Sequence, residues 1–164
     1  MLIHPFEPVF DARSRVLILG SFPSVKSREE AFYYAHPRNR FWKLLAALFN
    51  EKPPGSVREK TELLLTHGLA LWDVIYSCEI QGSSDASVRN ARANNIPALL
   101  AHTRIERIYT NGAKAHELYK RLVYPACGIS DIPLPSTSPA NAGCSFDALI
   151  RAWKCVTEAA DEFK

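Results

Sequence analysis

The sequence has no apolar run approaching the ~20 residues that a membrane-spanning helix needs. Its first residues, Met1-Leu2-Ile3-His4-Pro5, hold no secretory apolar core. The expectation is a soluble, intracellular, cytoplasmic protein with no membrane role, nucleoid-associated if bacterial. Cysteine is sparse. No two of Cys78, Cys127, Cys144 and Cys155 stand two or three residues apart, which excludes the zinc-ribbon and iron–sulfur spacings. Buried or idle thiols in a reducing compartment are expected. His36, His67, His102 and His116 show no ligand spacing with one another, so the expectation is no metal and no cofactor. Neither the phosphate-binding GxxxxGK[ST] string nor a GxSxG nucleophile elbow occurs. A strong charge of one sign is also missing. Twenty basic and 17 acidic residues leave +3, which permits a polyanionic partner without demanding one.

What is present suits a packed core. With 164 residues, 47% apolar and 23% charged, the chain can bury roughly 70% of its unfolded surface. One domain over residues 1–164 is expected. Val16 to Leu19 is a continuous apolar run ending in Gly20, the pattern of a strand buried on both faces. Leu69 to Ile75 and Ile105 to Tyr109 read the same way, and Ile132-Pro133-Leu134 reads as a short or edge strand. Helical rhythm lies between them. Phe41, Trp42, Leu44, Leu45, Leu48 and Phe49 share one face, and a second helix runs from about Val57 to His67. Pro97 opens a short helix, Asn111-Gly112 leads into another over Ala113 to Leu122, and Ser145 caps the last. Alternating strands and helices predict a three-layer α/β/α sandwich around a short, mainly parallel sheet of about four strands. Glu79 to Asn95 is the longest stretch without periodicity.

In open α/β folds the ligand crevice lies beyond the carboxyl ends of the strands. That rule singles out Gly20-Ser21-Phe22-Pro23-Ser24, Asp73 onward, Asn111-Gly112, and Ser136 to Asn141. The first is either a plain tight turn or a close approach of backbone to a ligand. Asn39 either caps the helix that follows it or faces the crevice, and one residue can do both. Asp73 either caps a turn or faces the crevice. In Tyr33-Tyr34-Ala35-His36-Pro37-Arg38-Asn39-Arg40-Phe41-Trp42, aromatic faces suit bases and arginines suit phosphates. The hydroxyls and free N–H groups of Ser136-Thr137-Ser138-Pro139-Ala140-Asn141 either hold phosphates or form an ordinary loop.

Taken in order, these segments resemble the uracil-DNA glycosylase superfamily, and within it the hypoxanthine-DNA glycosylase branch. The resemblance rests on Val16 to Ser24, Tyr34-Ala35-His36-Pro37-Arg38-Asn39-Arg40-Phe41-Trp42, Leu71-Trp72-Asp73-Val74, Asn111 to Ala115, and Ser136 to Asn141. It implies an enzyme that flips a deaminated base, hypoxanthine above all, out of double- or single-stranded DNA. It would hydrolyse the N-glycosidic bond and leave an abasic site, acting as a monofunctional glycosylase without a metal cluster. By resemblance Asn39 is the catalytic residue, orienting water through its amide oxygen. Gly20, Ser21, Phe22, Pro23, Tyr34, Asp73 and Ser136 line the base pocket, with Tyr34 stacking on the base. Arg38, Arg40, Ser138, Pro139, Ala140 and Asn141 contact DNA. Two positions depart from uracil-excising relatives. Phe22 stands where Asp or Asn serves the water, and Ser136 where His or Asn is usual. Other readings are a glycosylase for uracil or xanthine, and a non-catalytic DNA- or nucleotide-binding module on the same fold.

Overall fold

The computed structural model describes residues 1–164. In chain order the elements are β1 (Leu2–Ile3), β2 (Val16–Gly20), α1 (Val25–Glu30), α2 (Phe41–Leu48), α3 (Val57–Thr66), β3 (Leu69–Asp73) and β4 (Ile75–Glu79). There follow β5 (Arg89–Ala93), α4 (Ile96–Ala101), β6 (Arg107–Asn111), α5 (Ala113–Leu122), α6 (Tyr124–Cys127), β7 (Ile132–Leu134) and α7 (Phe146–Glu162). Short 3₁₀ turns occupy Asp85–Ser87 and Pro139–Asn141.

The central sheet has the order β3-β2-β6-β7 and every pairing is parallel. β2 is one of its two inner strands and is covered on both faces, which explains its unbroken apolar sequence. Val16 and Ile18 face one layer with Phe41, Leu44, Leu45, Leu64, Leu149, Trp153 and Val156 of α2, α3 and α7. Leu17 and Leu19 face the opposite layer with Ile96 and Leu99 of α4 and Leu118 and Tyr119 of α5. The period of two along a strand thus feeds two separate cores. The expected three-layer sandwich is what forms. β7 pairs on one side only, as its proline requires. Caps fall where side-chain oxygens were available: Ser56 accepts from Glu59 N–H and Ser145 from Ala148 N–H. No helix is long and apolar enough to cross a membrane.

Two expectations change. The apolar run Leu69 to Ile75 is not one strand. β3 stops at Asp73, and Val74 N–H and Ile75 N–H then donate to Gly20 O and Ser21 O. The chain continues as β4 into a second, antiparallel sheet of order β1-β4-β5. Buried Asn94 clamps the break, its Nδ2 donating to Asp73 O and Ile75 O at 2.8 and 3.1 Å. Most of the aperiodic stretch Glu79 to Asn95 is therefore the turn and returning strand of a hairpin.

Parallel pairing sets Gly20 beside Asp73 and Leu19 beside Thr110, and Asn111 beside Leu134. The carboxyl ends of four strands, carrying Gly20, Asp73, Asn111 and the segment after Leu134, converge at one sheet edge.

Candidate active site

A cavity of about 310 Å³ opens at that edge. It brings together the eight residues expected at the pocket, Gly20, Ser21, Phe22, Pro23, Tyr34, Asn39, Asp73 and Ser136, with three expected to contact DNA, Ser138, Pro139 and Ala140. Arg38, Arg40 and Asn141 lie outside its lining. Ser27, Tyr33, His36, Ser83, Asp85, Asn111 and Thr137 join it.

The floor is built on Gly20. A Cβ there would stand 2.5 Å from Asp73 Oδ1 and 2.8 Å from Tyr34 Oη, so only glycine lets both groups approach the strand end. Asp73 is 3% exposed. Its Oδ2 meets His4 Nε2 at 2.7 Å, while Oδ1 has no protein partner and stays beside Gly20. Asp73 thus faces the crevice. Tyr34 takes φ 51°, in the left-handed region, and stacks on Phe41 with ring centroids 4.1 Å apart. Its hydroxyl is buried without a hydrogen-bond partner. Burial, and next the charge of Asp73, push that phenol well above the ordinary tyrosine range. It therefore stays a neutral donor. Phe22 lies perpendicular to the His4 ring, with centroids 6.1 Å apart, and the Arg28 guanidinium lies 5.7 Å from its ring centre.

The wall is a relay of amides. Asn111 Oδ1 accepts from Thr137 N–H, and Asn111 Nδ2 donates to Thr137 Oγ1. The Thr137 hydroxyl, fully buried, donates at 2.9 Å to Asn39 Oδ1. The same oxygen accepts Phe41 N–H at 3.0 Å, so Asn39, one residue ahead of the N-cap Arg40, holds the first amide of α2 and lines the pocket. This corrects one expectation. The amide oxygen assigned to water already holds two donors, one per lone pair. The Nδ2 group makes no hydrogen bond within the protein and is the end left free.

The Ser136–Asn141 segment is braced from within. Ser136 Oγ accepts from Ser138 N–H, Ser138 Oγ from Ala140 N–H, and Asn141 Nδ2 donates to Ser136 O. Arg40 fixes it to α2, its guanidinium donating to Cys144 O and Asn141 O at 2.6 and 3.2 Å. Arg40 is thus a brace for this loop rather than a free phosphate contact, while Arg38 is exposed. From the other side the β4–β5 hairpin brings Asp85, whose Oδ1 accepts the Ser21 hydroxyl at 3.0 Å. Asp85 is exposed as a residue, yet burial of its carboxyl pushes its pKa up. The Ser21 bond and Lys114 oppose the shift, and Asp73 adds to it. Asn111 and Thr137 stood in segments singled out by the strand-end rule. Nothing in the sequence pointed to His4, and Asp85 was marked only as part of the aperiodic stretch Glu79 to Asn95, of a length that is usually functional or mobile.

A buried carboxylate with one oxygen open, a neutral phenol and an amide nitrogen stand around a pocket at the carboxyl edge of a parallel sheet, groups whose chemistry suits a polar planar ligand. The model of the uracil DNA glycosylase superfamily matches residues 7–156, and the chain belongs to that superfamily. Among its relatives, a hypoxanthine DNA glycosylase of Methanosarcina acetivorans is 34% identical over 143 residues, covering 86% of this chain and 89% of the relative. One from Methanosarcina barkeri is 31% identical over 138 residues, covering 83% and 86%. A solution NMR structure of a candidate uracil DNA glycosylase from Methanosarcina acetivorans superposes with a TM-score of 0.82 at 29% identity, covering 98% of this chain and 99% of that one.

Proposed function

We propose that this chain is a monofunctional DNA glycosylase that excises hypoxanthine from deoxyinosine in damaged DNA. The observation that carries the reading is the unpartnered Oδ1 of buried Asp73 on the pocket floor. Hypoxanthine is a lactam: its N1–H is a donor, whereas adenine offers a lone pair at N1. An ionised Asp73 accepts from the first and opposes the second, two acceptors in a desolvated site. Uracil's N3–H is also a donor, so the space around Phe22 must separate these two bases.

The nucleotide must leave the duplex stack to enter the cavity. The C1′–N9 bond then breaks with its electron pair going to the base, the sugar becomes oxocarbenium-like, and water adds at C1′, releasing a proton that neutralises the departing base. Asn39 Nδ2 donates toward the charge that develops on the base, and its two bonds to Thr137 and Phe41 hold it there in advance. Tyr34 lines the pocket for the extruded base. No lysine lines the cavity, which supports hydrolysis over an imine-forming lyase. Arg38, Ser138 and the Pro139–Asn141 turn suit the phosphates flanking the flipped nucleotide.

The test is a single-turnover assay on matched oligonucleotides, single- and double-stranded, each with one deoxyinosine, deoxyuridine or deoxyxanthosine. Alkali cleaves any abasic product. Excision of hypoxanthine ahead of the other two is expected. Robust excision of uracil with none of hypoxanthine overturns the assignment, and no excision from any substrate favours a binding module.

A further inference from the structure

His4 belongs to none of the segments that carry the family resemblance, yet it is the group bonded to the base-reading carboxylate. It follows β1, whose pairing with β4 holds the N-terminal segment against the β3–β4 junction. The side chains of His4 and Asp73 are 2% and 5% exposed. His4 Nδ1 lies 2.8 Å from Phe6 O, and Nε2 lies 2.7 Å from Asp73 Oδ2. A carbonyl oxygen only accepts, so Nδ1 carries hydrogen. A neutral imidazole has one N–H, which would leave the Nε2 lone pair against a carboxylate oxygen. Two acceptors do not bond at that distance, so the pair holds one proton more than neutral histidine and ionised aspartate supply.

The surroundings decide where that proton sits. The His4 ring is flanked by Phe6, Phe22 and Tyr33. Tyr33 and Tyr34 are kept neutral, burial being the largest cause and Asp73 the next. Asp85, beyond Ser21, is acidic. No lysine or arginine is bonded to Asp73, so His4 is the one group in contact that can offset its charge. A buried carboxylate needs such a partner or takes up a proton itself.

We propose that His4 is a specificity-determining residue: as an imidazolium it keeps Asp73 an ionised acceptor, and so sets which base edge the pocket takes. The inference rests on Asp73 reading the base, as argued above. Without His4 the Asp73 carboxyl holds its own proton and offers an O–H as well as a C=O. Such a group also satisfies adenine N1, and it accepts hypoxanthine N1–H less strongly. His4 acts through Asp73 and is a positioning residue.

Two measurements test this. The first is NMR of the His4 ring in the wild-type protein near pH 7. Protons on both Nδ1 and Nε2 are expected, and a neutral ring overturns the proposal. The second is single-turnover excision of hypoxanthine by His4→Phe and His4→Gln across about pH 6 to about pH 8. The rate of His4→Phe relative to wild type should fall by at least about tenfold at the acid end, the scale of one buried charged hydrogen bond. The deficit should shrink as pH rises, because Asp73 then ionises unaided. His4→Gln keeps a neutral N–H toward Oδ2 and should lose less. An unchanged rate in both variants, or a deficit equal at every pH, overturns the proposal. Asp73→Asn separates the two levels. If it slows excision while the His4 variants do not, the base reading stands and this inference falls. If it has no effect on excision, the base reading falls and the inference with it.

Discussion

Asn39 joins two jobs that its sequence position left as alternatives. Its oxygen holds the first amide of α2 and accepts the Thr137 hydroxyl, and its nitrogen is left free for the proposed contact with the base. Substitutions separate them. Asn39→Asp keeps both acceptor bonds and loses the donor, so it should hold its melting temperature and lose roughly 10²-fold in excision, the scale of one lost preorganised donor. Asn39→Ala should lose the same activity and about 1 kcal/mol of stability as well. Thermal melts beside single-turnover rates check this, and a fast Asn39→Asp enzyme would return the role to the oxygen. Gly20 makes a second prediction. Gly20→Ala puts a methyl 2.5 Å from Asp73 Oδ1 and 2.8 Å from Tyr34 Oη. Excision should drop by at least tenfold, roughly the cost of disturbing one buried polar contact, with the circular dichroism of the fold retained. Undiminished excision would mean that the Asp73 oxygen does not meet the base there.

The elements legible in the sequence were those whose pattern is written by burial. β2 is buried on both faces and reads as an unbroken apolar run. α2 and α7 bury one face and show it by spacing. β5 has no such pattern: Arg89-Asn90-Ala91-Arg92-Ala93 has no β-branched or aromatic residue and no buried position. Its pairing with β4 defines it, and tertiary pairing leaves no mark at short range. The break after Asp73 was equally hidden, since buried Asn94, which stabilises it, lies 21 residues away. The site followed the same division. Residues at strand ends were found by topology, while His4 and Asp85 arrive from the second sheet. The hairpin also carries a pH prediction. The Asp85 pKa is raised in the folded chain, chiefly by burial, so the native state binds more protons than the unfolded one. Stability should therefore decline as pH rises from about 4, the unfolded value, toward the raised native value, and then level off. Asp85→Asn should remove that component, so its melting temperature should gain on wild type as pH rises through the window. A constant difference would mean that the Asp85 carboxyl is not desolvated at the pocket lip.

At the scale of the whole molecule, the fold offers DNA one crevice edge and little net charge. With +3 overall, affinity must come from local contacts, and binding should weaken with salt as counterions are displaced. Arg38→Ala should lower the salt slope by about one phosphate contact. Arg40→Ala should instead loosen the Ser136–Asn141 loop, because its guanidinium is spent on Cys144 O and Asn141 O. Equal changes of slope in both variants would restore Arg40 to the DNA. Excision should persist in a chelator, since the proposed steps use only side chains and water.

The central claim is that the Asp73 carboxylate reads the lactam edge of hypoxanthine. The most direct measurement is the single-turnover rate of Asp73→Asn on a deoxyinosine duplex against wild type, with circular dichroism as the control for folding. An asparagine amide can turn to donate or accept, so it no longer selects N1–H. A folded variant slowed roughly 5- to 150-fold is expected, the equivalent of about 1–3 kcal/mol for one buried polar contact. Its rate on deoxyadenosine should not fall in step. A folded Asp73→Asn enzyme that removes hypoxanthine as fast as wild type, with the same preference over adenine, would contradict it.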